Sequence, residues 1–322
     1  MVMDLFTLQK YVYFAKFVYI AQIFVTMKLA LFGRNTEYLD LQNLILLLEK
    51  LRRHEGVELY CYAPIHDAIM GACANFIGSG VFSSHSDLPS DVELFLSLGG
   101  DGTFLESLTF IRDRGIPVAG INFGRLGFLT TARAGEDDEW VDKILSGNYT
   151  VQERTLLHLR SEEYMLPDLF YPYALNEITL QRKSPVMLEI TVYIDGKPLP
   201  NYMADGILIG SATGSTAYSL SIGGPIVTPD SKVLIIAPIA PHNLNVRPII
   251  VPETSKIELS YVTRGEDALL TADNRSAILP QKTRIMISKA DFSLNSISVN
   301  NSFIEALSQK LLWGVDKRNM LK

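Results

Sequence analysis

Between the apolar run Val92–Leu98 and a helix predicted from about Thr103 to Arg112 stands Gly99-Gly100-Asp101-Gly102-Thr103. Three glycines in four positions let the main chain take conformations closed to other residues and come close to a ligand. The N–H groups at the start of the following helix favour an anion such as phosphate. A tight strand-to-helix turn rarely needs three glycines, and Asp101 argues further against a purely structural turn. A carboxylate beside phosphates is repelled by them, so its presence is best explained by holding a metal ion or by taking a proton from a nucleophile. No Gly-x-Gly-x-x-Gly and no Gly-x-x-x-x-Gly-Lys occurs in the chain, which excludes the usual dinucleotide fingerprint and the P-loop.

Two further stretches carry polar groups where a fold alone does not ask for them. Asn176-Glu177 lies inside Tyr173-Ala-Leu-Asn-Glu-Ile-Thr-Leu, within a strand predicted over Tyr173 to Gln181. Successive strand residues face opposite sides, so one of the pair points into a core or cleft and must find hydrogen-bond partners. Taken alone, the dipeptide suits a solvated edge strand equally well. The other stretch runs from Asp205-Gly206 to Gly210-Ser-Ala-Thr213-Gly214-Ser215-Thr216-Ala217-Tyr218, a strand leading into small and hydroxyl residues. Such a loop lets a flat ligand approach the backbone, offers hydroxyls to sugars or bases, and places the Tyr218 ring for stacking. Its bland alternative is a Ser/Thr/Gly surface loop.

These motifs have to be held by an alternation of elements. From Lys28 the pattern reads strand, helix, strand: Leu29 to Phe32, then Leu41, Leu44, Ile45, Leu48 and Leu51 at helical spacing through Arg53, then Val57 to Tyr62, Val92 to Leu98 and Ile116 to Ile121. That predicts an α/β Rossmann-like domain with a parallel sheet over residues 27–150. Tyr149 to Arg160, Tyr173 to Gln181, Val186 to Ile194 and Ala204 to Ile209 read as strands parted by Pro, Gly and Asp turns, and Val233 to Ala237, Pro248 to Val251, Lys256 to Val262 and Thr283 to Ser288 continue the style. This predicts a β-rich domain over 151–300. A closing C-terminal helix is expected over Asn301 to Trp313, with a tail to residue 322. No flexible spacer marks residue 150, so the two domains should pack rigidly around a cleft.

Composition narrows the partners. Lys plus Arg number 29 against 35 Asp plus Glu, a net charge of −6, which offers no basic field for a nucleic-acid backbone. Two cysteines, Cys61 and Cys73, and five scattered histidines give neither a disulfide scaffold nor a zinc-like cluster, and a reducing cytoplasmic setting is expected. Residues 1–26 hold seven aromatics, but Asp4, Lys10 and Lys16 break any signal peptide, and the uncharged run Phe17 to Met27 is short of the ~20 residues that span a bilayer. They are expected to be a leader upstream of a natural start at Met27, and no membrane role is expected.

Taken together, the three motifs resemble the NAD kinase family, in the same order and at similar separations, from Met27 to Trp313. Asn122-Phe-Gly-Arg-Leu-Gly127-Phe128-Leu129 is similar to its Asn-Leu-Gly-x-Leu-Gly-Phe segment, and Gly223-Gly224-Pro225-Ile226, Ala237-Pro-Ile-Ala-Pro-His242-Asn-Leu-Asn-Val-Arg247-Pro248 and Leu311-Leu-Trp313 also match. The resemblance implies transfer of the terminal phosphate of ATP to the 2′-hydroxyl of the adenosine ribose of NAD, a divalent metal, Mg²⁺ above all, and a homodimer or homotetramer. It implies Asp101 as base or orienter at the ribose. Gly99, Gly100, Gly102 and Thr103 fall at the triphosphate and metal site, with Gly102 also beside NAD and Arg247 as a second compensator of phosphate charge. Leu105 and Phe128 fall in the adenosine pocket, Asn176 and Glu177 on NAD, and Asp205, Thr213, Thr216, Ala217, Tyr218 and Ser221 around its two nucleoside ends. Two departures stand out: Asp273-Asn274-Arg275 where the family has Asp-Gly-Gln, and Ala212 where proline is frequent. Lipid kinases of the diacylglycerol type share Gly-Gly-Asp-Gly-Thr, and a non-catalytic NAD-binding sensor is the other alternative.

Overall fold

The computed structural model describes residues 26–34, 40–73, 78–124, 127–135, 139–265, 267–299 and 303–311. Residues 1–25, and with them the leader expectation, lie outside the described residues.

Five strands of the first half form a parallel sheet in the order Gly80–Phe82, Val57–Tyr62, Met27–Phe32, Leu94–Leu98, Val118–Asn122. A parallel sheet is covered on both faces and so reads as continuous apolar runs; every residue of Leu94–Leu98 and of Val118–Asn122 is buried. The helix Leu41–Arg53 starts where the Asp40 carboxylate accepts from the N–H groups of Gln42 and Asn43, and it turns Leu44, Leu47, Leu48 and Leu51 into the core. Helices Ala63–Ala72 and Glu139–Leu145 are too short or too uniformly apolar to stand out by periodicity. The strand order reverses direction between Met27–Phe32 and Leu94–Leu98, and in open α/β sheets ligands collect outside the carboxyl ends of strands at such a reversal. Gly99 follows the second of these strands, so the topology sets the Gly-rich motif at that point.

The second half contributes a six-stranded antiparallel sheet ordered Ile249–Pro252, Val233–Ile239, Gly206–Ser211, Glu177–Arg182, Ala268–Ala272, Arg275–Leu279. It packs on a layer containing Leu188–Ile194, Ile257–Val262 and Thr150–Arg160, with Leu180, Ile207, Ile190, Leu259 and Ile287 among the buried side chains between. The strand expected at Thr283 to Ser288 is the 14-residue Ile285–Ser298. It pairs antiparallel with Thr150–Arg160 and Ile257–Val262, and its Ser296 also meets Val118 in parallel register. One sheet therefore runs through the boundary expected near residue 150, and hydrogen bonds across it hold the two halves in fixed relation. Among the described residues no helix is long and apolar enough to cross a membrane.

The strand expected over Tyr173 to Gln181 is two pieces, Tyr173–Ala174 and Glu177–Arg182. The break has a cause 97 residues away: the N–H groups of Leu175, Asn176 and Glu177 donate to the Asp273 carboxylate at 2.8, 2.8 and 3.2 Å rather than to a neighbouring strand.

Candidate active site

Gly99 sits at φ +148°, where a Cβ would meet Thr103 Oγ1 at 2.5 Å. The helix Asp101–Ile111 then begins at Gly100 with no side-chain cap, and the Gly100 carbonyl accepts from the N–H groups of Thr103 and Phe104 at 3.0 and 3.1 Å. The helix start is thus open toward solvent with one acidic side chain in its first turn.

Asp101 does not point freely outward. Its Oδ2 accepts from the Phe128 N–H at 2.8 Å and its Oδ1 from the Leu129 N–H at 2.9 Å. The segment that supplies these donors is braced in turn by Gly127 N–H donating to Thr130 Oγ1 at 2.8 Å and by Thr131 N–H donating to the Gly120 carbonyl at 2.7 Å. A carboxylate has about four lone-pair positions, so a substrate hydroxyl and a cation still find acceptors on it. Gly127 is required by proximity: a Cβ there would stand 1.9 Å from Asp101 Oδ1. Gly127→Ala should therefore displace the Asp101 carboxylate and lose activity on the order of 10²-fold, the scale of misplacing a reacting group by about 1 Å. A Gly127→Ala enzyme with wild-type kcat would show that Asp101 need not hold this position.

Asn176 and Glu177 face the hydroxyl-rich loop across adjoining strands, with Glu177 opposite Gly210 in the register. The Ser211 N–H donates to the Asn176 carbonyl at 2.9 Å, and the Gly214 backbone lies so close that a Cβ on it would meet that carbonyl oxygen at 2.1 Å. Thr213–Thr216 is a 3₁₀ turn and Tyr218–Ser221 a single helical turn. Ser215 Oγ ties the turn down, donating to the Val227 carbonyl and accepting from the Val227 N–H. Ala212 has φ −57°, a value that proline also holds, so this departure from the family pattern leaves the turn intact.

Four acidic or phenolic groups share this corner. Burial, then the Asp273 charge, pushes the Glu177 carboxyl up to about 8, while the Tyr218 N–H pulls the other way. The Tyr218 phenol is raised by burial and by the charges of Glu177 and Asp205, and Asp205 pairs with Arg182 at 3.0 Å. Asp273 is also raised by burial, while Arg275 and its three main-chain donors oppose this. Between the ordinary 4.5 and about 8 the folded chain then holds a proton that the unfolded chain releases. Stability falls as pH rises through that window, by at most about 1.4 kcal/mol per pH unit. Glu177→Gln removes the proton, so its melting temperature should rise relative to wild type from about pH 5 to about pH 8. A difference that stays flat with pH would mean that Glu177 is ionised in the folded protein.

The two halves of the site meet in one packed cluster, which holds Phe104, Leu108 and Leu129 of the first half and Leu175 of the second, with Leu105, Tyr171 and Tyr173 at its margin. Arg247 is placed otherwise: it is exposed, and its Nη1 donates to the carbonyls of Leu244 and Val246 within its own loop at 2.8 and 2.7 Å. Ser221 is exposed at the end of its short helix. Asp273-Asn274 forms the two-residue turn between Ala268–Ala272 and Arg275–Leu279, with Asp273 at φ +50°, a region that Asp tolerates better than most residues. Sequence reasoning noted this triplet as a departure but missed that Asp273 anchors the Asn176-Glu177 segment. The only available signal was an aspartate in a hairpin turn, whose distant partner no local pattern reveals.

Comparison with known proteins shows what the chain is similar to. Residues 83–149 match the ATP-NAD kinase N-terminal domain and residues 175–299 the ATP-NAD kinase C-terminal domain. The NAD kinase of Flavobacterium psychrophilum is 44% identical over 240 residues, covering 74% of this chain and 82% of the relative. That of Bacteroides fragilis is 38% identical over 295 residues, 91% of this chain and 100% of the relative. Among solved structures, yeast NADH kinase complexed with NADH shares the fold with a TM-score of 0.79 at 23% identity, over 90% of this chain and 89% of that one. An NAD kinase from Archaeoglobus fulgidus in complex with ATP has a TM-score of 0.66 at 26% identity, over 89% and 99% of the two chains. With both domains matched and relatives of this similarity along most of its length, the chain belongs to the NAD kinase family.

Proposed function

We propose that this protein transfers the γ-phosphoryl group of ATP to the 2′-hydroxyl of the adenosine ribose of NAD, giving NADP and ADP. The observation that carries the reading is Asp101, held by two main-chain N–H groups at the open helix start that follows the Gly-rich turn. The hydroxyl oxygen forms a bond to the γ-phosphorus, the bond from that phosphorus to the bridging oxygen breaks, ADP departs, and the hydroxyl proton passes to Asp101. Phosphoryl transfer asks for positioning and charge neutralisation more than covalent help, and the main-chain donors after Gly99 serve the triphosphate. Asn176, Glu177 and the loop from Thr213 to Tyr218 hold the nucleoside parts of NAD, a polar setting that suits a nucleotide and not an acyl chain. Asp205 is paired with Arg182, and its charge reaches the Tyr218 phenol.

Mg²⁺ fits the residues present. Among the described residues no group of three or more His, Cys, Asp and Glu gathers as a cage, and Mg²⁺ is commonly held by one or two carboxylates with substrate phosphates and water. Asp101 and the triphosphate would hold it, and it would neutralise phosphate charge. The reading includes a cytoplasmic homo-oligomer, supported by the free cysteines and the family resemblance.

Incubation with ATP, Mg²⁺ and either NAD or diacylglycerol tests the proposal. NADP formed from NAD, with diacylglycerol untouched, is the expected result. Phosphatidic acid as the product would establish a lipid kinase, and NAD binding without any product would establish a sensor.

A further inference from the structure

The last helix, Phe303–Leu311, turns Phe303, Ala306, Leu307, Lys310 and Leu311 inward and leaves Ile304, Glu305 and Ser308 exposed. Those five inward positions follow the i, i+3, i+4, i+7, i+8 stripe that an apolar face occupies. Lys310 stands on that stripe where an apolar residue would pack without cost. Half-burying an ammonium group is unfavourable unless its charge is used.

Its surroundings show where the charge is directed. Lys310 Nζ lies 4.3 Å from the centroid of the Phe128 ring, a cation–π distance. Phe128 is the residue whose N–H holds Asp101 Oδ2 at 2.8 Å. Lys310 and Phe128 also line one cavity of about 570 Å³ together with Thr130, Thr131 and Arg154. Burial pulls the Lys310 ammonium down from its usual range and the Asp101 charge opposes this, so the two groups are within electrostatic reach.

Phosphoryl transfer calls for positive charge beside the Gly-rich turn, which supplies none of its own. Gly99 to Thr103 contains no basic residue, Arg247 is bonded into its own loop, and Arg34 pairs with Glu106 at 3.1 Å. We propose that Lys310 is a positioning residue of the phosphoryl-acceptor site, holding a positive charge over Phe128 beside Asp101, so that the C-terminal helix is a wall of the active site. The charge offsets the negative charge that gathers as phosphate and ribose oxygen approach, and the ring contact keeps Phe128 and its bonded carboxylate in place. The proposal rests on the kinase reading above.

Steady-state kinetics of the full chain with NAD and ATP test it through Lys310→Met, which keeps the apolar stem, through Lys310→Arg, and through Lys310→Ala with and without ethylammonium chloride. Loss of one preorganised charge-stabilising donor is worth on the order of 10²-fold in kcat. Lys310→Met should show a fall of that order with the KM for NAD nearly unchanged. Lys310→Arg should recover most of it, and ethylammonium entering the cavity should raise the Lys310→Ala rate at a concentration where sodium chloride of equal ionic strength does not. Lys310→Met with kcat within about twofold of wild type would overturn the proposal, the fall on the scale above being absent. So would a loss that tracks a lowered melting temperature and is rescued by neither Arg nor ethylammonium, since Lys310 then only packs the helix. A wild-type chain that makes no NADP would overturn the kinase reading and this proposal together.

Discussion

Asp101→Asn should abolish NADP formation and also loosen the site. The substitution keeps side-chain volume but removes the proton acceptor, and general-base contributions are typically about 10²- to 10⁴-fold. The structure adds a second loss. Both carboxylate oxygens accept main-chain hydrogen bonds, from Phe128 at 2.8 Å and Leu129 at 2.9 Å. An amide has one oxygen, so its NH₂ group would face one of these N–H donors. Leaving a part-buried donor without an acceptor costs about 1 to 3 kcal/mol. The variant should therefore melt below wild type, and its NAD affinity should fall along with kcat because the 127–129 segment shifts. Coupled NADP assay, calorimetry with NAD and thermal melts separate these effects. Retention of more than half the wild-type kcat would remove Asp101 from the chemistry. A melting curve superimposable on wild type would show that the two main-chain bonds do not hold Asp101 in solution.

What the sequence discloses is what neighbouring residues decide. Gly99 punctuates an apolar run so clearly that the strand end at Leu98 and the following helix follow from local rules. The same holds for Leu44, Leu48 and Leu51, whose spacing places one helix face. What it conceals is decided across the chain. Nothing near Tyr173 says that its strand must break before Glu177, because the break is made by Asp273. Nothing near Gly99 says that Asp101 will be gripped by donors 27 and 28 residues on. Ile285–Ser298 shifts register between Lys289 and Ser293, and its meeting with Val118 depends on the parallel sheet presenting an open edge there. The inward Lys310 was legible as a helical position but not as part of a site, since its meaning comes from Phe128.

The turn Asp273-Asn274-Arg275 bears on stability through Asp273, the one residue of the three that matches the family's Asp-Gly-Gln. The Asp273 side chain is fully buried and accepts from three main-chain N–H groups at 2.8, 2.8 and 3.2 Å, while Arg275 stands 3.5 Å away and also donates to the Tyr173 carbonyl. Asp273→Ala would strand all three donors and leave the Arg275 guanidinium without its counter-charge. Each orphaned donor costs about 1 to 3 kcal/mol. Relief from burying a carboxylate offsets part of this, as breaking a buried pair from one side usually nets about 3 to 5 kcal/mol of destabilisation. Alanine at φ +50° adds strain, because it lacks the short polar side chain that lets Asp visit this region. Asp273→Gly removes that strain and Asp273→Asn restores one acceptor, so melting temperatures should fall in the order wild type, Asn, Gly, Ala. NAD affinity should follow the same order, because Asn176 and Glu177 are the residues whose backbone is released. If all three variants melted within a few degrees of wild type, the carboxylate would not be the anchor of the Asn176-Glu177 segment, and the strand break would need a cause in the hydroxyl-rich loop across from it.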